Sequence, residues 1–218
     1  MNEYKYIIDK YKIDKGRQHI IEIPDMDSLD LADLFHELNY KVGVELGVAK
    51  GEYSEIICKA NPQAKLYSID PYTTEAYEPG TNITRQTMFD DDYEFAVNRL
   101  KPYNCEVVRK TSEEALKDFE DNSLDFVYID ANHDFYNFTF DLHFWLKKVR
   151  EGGIMSGHDY VYMSYKRFHH VRRALEAYSR CYRMQPLFVC GITDHGTRNR
   201  RDRYRSWFWV KKEGGLQE

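Results

Sequence analysis

No stretch of this 218-residue chain approaches the ~20 consecutive apolar residues that a membrane-crossing helix requires. Its opening, MNEYKYIIDKYK, mixes charged with apolar residues and lacks the uninterrupted apolar segment of a secretory leader. Cysteine is sparse. Cys58, Cys105, Cys181 and Cys190 stand far apart and none pairs as C-x-x-C, which argues against a zinc site or a disulfide scaffold. Positive charge is not in excess: 31 Lys and Arg against 36 Asp and Glu leave a net charge of -5. That balance argues against a general nucleic-acid binder, whose affinity rests on neutralising phosphates. There is no internal repeat and no low-complexity tract. These absences together predict a soluble, cytoplasmic protein with reduced thiols and neither membrane nor nucleic acid as partner.

What is present describes a globular protein. Hydrophobic residues make up 42% and charged residues 31%, a balance that excludes global disorder. The length suits one domain with a full core, here residues 26–218, preceded by a polar arm over 1–25. Eighteen Tyr and twelve Phe give broad surface for packing or for a flat or sugar-like ligand. From residue 42 onward strand-like and helix-like segments alternate. Strands are predicted at 42–46, 65–70, 105–109, 124–130 and 153–159, with helices between them, and Gly152-Gly153 read as the stop of the helix over 135–149. Two last strands, 186–190 and 206–212, flank a polar loop. Five successive βα units imply an α/β, Rossmann-like fold with a mostly parallel sheet, and the terminal pair adds an antiparallel edge. Ligands of such sheets bind beyond the carboxyl ends of the strands.

The polar residues of the chain gather at those ends. Glu45, Gly47 and Gly51 form E-x-G-x-x-x-G where the first strand turns into a helix, and glycine there lets a ligand approach the backbone. Asp70 follows Gly47 by 23 residues, close to the ~20-residue interval at which an acid grips ribose hydroxyls. A turn cap before Pro71 is the plain alternative for Asp70. The G-x-G-x-x-G fingerprint is missing, and a carboxylate at Glu45 suits a cationic amino group better than a pyrophosphate. Both points favour S-adenosylmethionine over a nicotinamide cofactor.

The segments VELGVAKGEYS, LYSIDPY, LDFVYIDANHDF and DLHFWLKKVREGGIMSGHDY make the chain resemble the class I methyltransferases. Within that group it resembles the macrocin O-methyltransferase-like branch, methyltransferase family 24. The likeness spans roughly residues 42–160. It implies a seven-stranded sheet with a reversed terminal strand. It also implies that Glu45 and Gly47 line the methionine end of the cofactor, Asp70 the ribose and Ser112 the adenine edge, with Asp130 bordering the cofactor too.

A second constellation lies on the next two strand ends. Asp130, His133, His158 and Asp159 bring carboxylates and imidazoles to neighbouring tips, a set suited to a hard divalent ion with open positions for substrate oxygens. By resemblance, Asp130 and Asp159 bind magnesium and His133 is the base. His158 stands where relatives carry an acidic ligand. Each of these residues also has a plain alternative as a cap, a turn or a loop residue. Asp141, inside the following helix, reads as a solvated position. Residues 74–93 read as a lid or an ordinary surface loop. Arg198, Arg200, Arg201, Arg203 and Arg205 read as an anion-binding or merely solvated loop. Trp145, Trp207 and Trp209 read as packing residues, Tyr160 and Tyr162 as bordering an acceptor pocket or packing, and His169-His170 as non-ligands.

The expected function is a metal-dependent O-methyltransferase using S-adenosylmethionine on a hydroxyl of a sugar or natural-product-like small molecule. The arm and the aromatic surface make a homodimer reasonable. A nicotinamide-dependent oxidoreductase and a non-catalytic glycan- or nucleotide-binding module on the same fold stay open.

Overall fold

Eight strands join in one sheet in a computed structural model that describes residues 2–14, 18–74, 86–162, 170–191 and 204–212. In chain order the elements begin with α1 (Glu3–Lys10), β1 (Ile20–Ile23), α2 (Ser28–Glu37), β2 (Val42–Leu46), α3 (Glu52–Ala60) and β3 (Lys65–Ile69). Next come α4 (Gln86–Leu100), β4 (Cys105–Val108), α5 (Ser112–Ala115) and β5 (Leu124–Ile129). The chain closes with α6 (Phe135–Lys148), β6 (Val149–Gly157), α7 (Val171–Cys181), β7 (Leu187–Cys190) and β8 (Trp207–Val210). The spatial order is β1-β7-β8-β6-β5-β2-β3-β4. Strand β8 is antiparallel to both neighbours, and every other pair is parallel. The predicted α/β class and antiparallel C-terminal strand are therefore present. No helix among the described residues is long and apolar enough to cross a membrane.

Two expectations change. The first 25 residues are not merely a polar arm. Strand β1 adds an eighth, edge strand beside β7, and Ile7, Ile8, Ile21 and Ile23 are buried in the core against β7 and β8. Charged residues interspersed among them gave the segment the look of a polar one. Second, Gly152 and Gly153 do not stop a helix. Helix α6 ends at Lys148 and β6 begins at the next residue, running through both glycines. The helix end is held instead by the buried Lys211 ammonium, which donates to the Leu146 and Val149 carbonyls at 3.0 and 2.6 Å.

Side-chain caps fix the helix starts that the sequence suggests. Asp27 and Asp30 form a reciprocal capping box on α2, Thr111 and Glu114 do so on α5, and Asp134 accepts from the Tyr136 and Asn137 amides to start α6. Strands β2 and β5 sit at the centre, covered on both faces, which is why they read as nearly continuous apolar runs. On one face Phe126 stacks on Phe35 with centroids 4.1 Å apart. Its ring lies directly over Gly43, where an added Cβ would come within 2.0 Å of the Phe126 ring.

That contact generates a test. Gly43→Ala should cost about 1–3 kcal/mol by overpacking, read from urea unfolding. Combining it with Phe126→Leu should cost less than the sum of the two single changes, because the smaller side chain makes room. Strict additivity would show that the two residues do not compete for this space.

Candidate active site

The carboxyl ends of β2, β3 and β5 are tied together by two backbone hydrogen bonds. The Gly47 amide donates to the Ile69 carbonyl at 2.9 Å, and the Asp130 amide donates to the Leu46 carbonyl at 2.8 Å. Gly47 has φ +85°, and a Cβ there would lie 2.0 Å from the Asp130 carbonyl oxygen. Left-handed backbone and close approach both demand glycine at this point. Gly51, with φ +72°, starts α3 without a side-chain cap and packs near Leu100. It shapes the turn and is not one of the cavity's walls.

Asp70 binds this turn to the end of β3. One carboxylate oxygen accepts from the Val48 and Ala49 amides at 2.9 and 3.2 Å, and the other from the Tyr72 amide at 2.9 Å. The cap-like reading of Asp70 thus holds through Tyr72. The residue also faces the cavity, and its oxygens have lone-pair capacity for further donors.

Beyond the strand tips lies a cavity of about 710 Å³, within the range of small-molecule sites. Glu45, Gly47, Asp70, Ser112, Asp130 and His133 all border it, six of the residues that the sequence singled out. Glu45 is 2% exposed and accepts from Ser54 Oγ and, at 3.3 Å, from Ser68 Oγ. Burial pushes its carboxyl up to about 8, against the lowering by Ser54.

At the ends of β5 and β6, single donor atoms of Asp130, His133 and Asp159 all fall within 4.8 Å of one another. His133 Nε2 is 2.6 Å from Asp159 Oδ2 and 3.9 Å from Asp130 Oδ1. His158 Nδ1 is likewise 3.9 Å from Asp130 Oδ2, and it lies 3.6 Å from Asp159 Oδ2. Both imidazoles thus stand beside the two carboxylates, His133 the nearer to Asp159. Asp159 has φ +64°, a left-handed conformation uncommon outside glycine, which turns the chain at the strand end. Trp207 Nε1 donates to the His158 carbonyl at 2.9 Å, so this packing residue also fixes the strand end. His170 braces the other side. Its amide donates to the His133 carbonyl at 2.8 Å, and its Nδ1 accepts from the Phe135 amide at 3.1 Å.

Asp141 departs most from expectation. It is 2% exposed, borders the cavity and is not solvated. Burial raises its carboxyl to about 7, opposed by a hydrogen bond from Ser112 and reinforced by the Asp134 charge. Asn137 and Phe140 border the same cavity, and neither was singled out. Asn137 and Asp141, four residues apart on α6, form a polar stripe beside the apolar stripe of Phe138, Leu142 and Trp145. That second stripe was the available signal. Of the remaining candidates, Tyr160 is buried and donates to Glu176, while Tyr162 is exposed. Arg205 pairs with Glu22 at 2.8 Å and donates to the Cys190 and Gly191 carbonyls. Arg198, Arg200, Arg201, Arg203, His169 and residues 75–85 of the suggested lid lie outside the described residues.

Residues 44–160, more than half the chain, match the family model described as a methyltransferase domain. The fold agrees with solved structures of the same class. An O-methyltransferase from Bacillus cereus, in complex with S-adenosylhomocysteine, superposes with a TM-score of 0.58 at 13% identity, over 96% of this chain and 87% of that one. The O-methyltransferase TomG from Streptomyces achromogenes, involved in tomaymycin synthesis and solved with S-adenosylmethionine, gives 0.59 at 16% identity, over 84% and 78%. The uncharacterised protein y4gI of Sinorhizobium fredii is 26% identical over 132 residues, 58% of this chain. Those residues amount to only 14% of that relative's length. The chain belongs to this methyltransferase-domain family.

The buried acids make stability depend on pH. Burial holds the proton on Glu45 up to about 8, against an ordinary value of 4.5, and on Asp141 up to about 7, against 3.8. Their contribution is complete below the unfolded values and is lost as pH rises through the folded ones. Glu45→Gln should flatten the fall in urea-unfolding free energy between about pH 5 and about pH 8, removing up to roughly 1.4 kcal/mol per pH unit. An unchanged slope would contradict the protonated state of Glu45.

Proposed function

We propose that this methyltransferase moves the methyl group of S-adenosylmethionine to a hydroxyl oxygen of a small acceptor of sugar or natural-product type. One observation carries the reading: the Asp130–His133–Asp159 cluster stands at the rim of the cavity floored by the Gly47 turn. The catalytic unit is residues 26–218, with the preceding segment packed on its edge, and the four free thiols fit a reducing cytoplasm.

The cofactor is placed by chemistry at each wall. Glu45 at the foot of the turn meets the methionine amino group, where a cation favours the ionised carboxylate and offsets its burial. Gly47 leaves room for the chain of the cofactor to lie against the backbone. Asp70, already oriented by three amides, accepts from the ribose diol, and Ser112 lies at the adenine edge. The ligands in the Bacillus cereus and Streptomyces achromogenes structures support this choice of cofactor.

His133 takes the proton of the acceptor hydroxyl. The Asp159 carboxylate, 2.6 Å from its Nε2, orients the ring and compensates the positive charge that the imidazole gains. The acceptor oxygen forms the new bond to the methyl carbon while the carbon–sulfur bond breaks and its electron pair stays on sulfur. The products are the methyl ether, S-adenosylhomocysteine and a protonated His133.

The donor set also fits a divalent cation. Asp130 and Asp159 supply hard oxygens close enough to share one ion, as magnesium prefers. They would hold the ion, and His158 would sit beside them. Such an ion supplies Lewis-acid polarisation of the acceptor oxygen when bound.

Two measurements test the reading. By isothermal titration the protein should bind S-adenosylhomocysteine and not NAD. Asp70→Asn should weaken that binding about 10- to 100-fold, the worth of a charge-assisted hydrogen bond. Equal affinity in both proteins would remove Asp70 from the site, and binding of NAD alone would favour an oxidoreductase. For the metal, Mn²⁺ binding followed by electron paramagnetic resonance should be seen in the unmodified protein and weakened at least about tenfold in Asp159→Asn. Identical Mn²⁺ spectra would exclude Asp159 as a ligand.

A further inference from the structure

Asp159 keeps a left-handed backbone, φ +64°, which a residue with a side chain holds only where its surroundings pin it. On one flank the His158 amide donates to the Ile129 carbonyl at 3.0 Å, and the His158 carbonyl accepts from Trp207 Nε1 at 2.9 Å. On the other flank stands Tyr160, 2% exposed, whose amide donates to the Arg205 carbonyl at 3.0 Å. Its hydroxyl donates to Glu176 Oε1 at 2.8 Å, and Arg172 Nε donates to the same oxygen at 2.8 Å. The guanidinium groups of Arg172 and Arg205 lie 5.0 and 5.7 Å from the Tyr160 ring centroid. Among the described residues that wall the cavity, neither Tyr160 nor Glu176 appears. A buried tyrosine is thus fixed by three charged side chains without touching the space where ligands bind.

Helix α7 reaches both sides of the reacting rim. His170, its N-cap, donates from its amide to the His133 carbonyl at 2.8 Å. Glu176, which holds Tyr160, follows six residues later, about 9 Å along the helix axis. Val171, Ala174, Leu175 and Tyr178 of α7 are buried in the same core cluster as Tyr160 and Trp207. One packed helix therefore spans from the segment bearing His133 to the residue that follows Asp159.

We infer that Tyr160, locked by Glu176 and Arg172, is a positioning residue: through the backbone of Asp159 it keeps that carboxylate against His133 Nε2. Helix α7 thereby sets the separation of the base from its carboxylate partner, 2.6 Å in this structure. The inference rests on the reading of His133 as base and Asp159 as its partner. Groups that must meet within hydrogen-bond reach need such support from side chains that never contact the substrate.

The experiment compares Glu176→Ala with Glu176→Gln, whose amide carbonyl still accepts from the Tyr160 hydroxyl. In protein labelled with ¹⁵N-histidine, at one fixed pH, the imidazole N–H bonded to Asp159 should exchange slowly with water. Its loss in His133→Gln assigns it. Exchange should quicken at least about tenfold in Glu176→Ala, as local opening becomes easier, and stay within about threefold in Glu176→Gln. Mn²⁺ affinity should fall about tenfold in the alanine variant alone, while affinity for S-adenosylhomocysteine stays within about threefold in both. Tyr160→Phe keeps the ring and loses only the hydroxyl, so it should reproduce the alanine pattern even if Glu176→Ala folds poorly. Unchanged exchange in Glu176→Ala and Tyr160→Phe overturns the inference. So does a loss of all three properties together that glutamine does not rescue, the mark of a merely structural role. If the unmodified protein shows no protected His133 signal, the base reading fails and this inference with it. If it binds no Mn²⁺ or no S-adenosylhomocysteine, the metal or cofactor reading fails, and the histidine signal still decides the role of Tyr160.

Discussion

The site depends on the close approach of two backbones, Gly47 at the end of β2 and Asp130 at the end of β5. Their strands are neighbours in the sheet, and the Asp130 amide closes the ladder on the Leu46 carbonyl. With no Cβ on residue 47, the turn can lie against the Asp130 carbonyl, where a methyl group would have only 2.0 Å. This contact puts the Gly47 turn and the acidic cluster on one rim. Asp70 secures the turn from the other side, through the Val48 and Ala49 amides. Three strand ends thereby act as one rigid support, the arrangement that holds reacting groups in register without further ordering at the moment of reaction.

Burial sets the electrostatics around this support. Glu45 and Asp141 are carboxyl groups removed from water in the cavity walls, each held by serine hydroxyls and each retaining its proton to higher pH than an exposed acid. Such groups are costly in an empty site and become favourable when a ligand brings cations or N–H donors. The cluster at the other rim is less buried, with the His133 imidazole between the Asp130 and Asp159 carboxyl groups.

Much of this was legible from residues alone. The order of βα units, the E-x-G-x-x-x-G turn, Asp70 and the strand-end acids all carry local patterns, because strand ends and tight turns impose residue types directly. The role of the first 25 residues was not, since β1 is four residues long and its partner β7 lies more than 160 positions away. The Gly152-Gly153 pair was misread because a strand can continue through glycines where Glu3 crowds the first and Asp125 and Val149 the second, and nothing local signals that crowding. Asp141 was taken as solvated because its helix has two buried stripes, one against the sheet and one against the cavity. A single sequence shows the apolar stripe and leaves the polar one looking like surface. Gly51 and His158 stand in the expected region: the first shapes the turn behind the cavity, and the second lies within 4 Å of both carboxylates.

The central claim concerns direction: the methyl donor must point from the Gly47 turn toward His133. A crystal structure of the protein with S-adenosylhomocysteine measures that directly. The account expects the ribose on Asp70, the amino group over Glu45, and the sulfur on the side of the cavity bordered by Asp130 and His133. A complex in which the sulfur faces away from His133, with the adenine taking up the space beside Asp130, would contradict it.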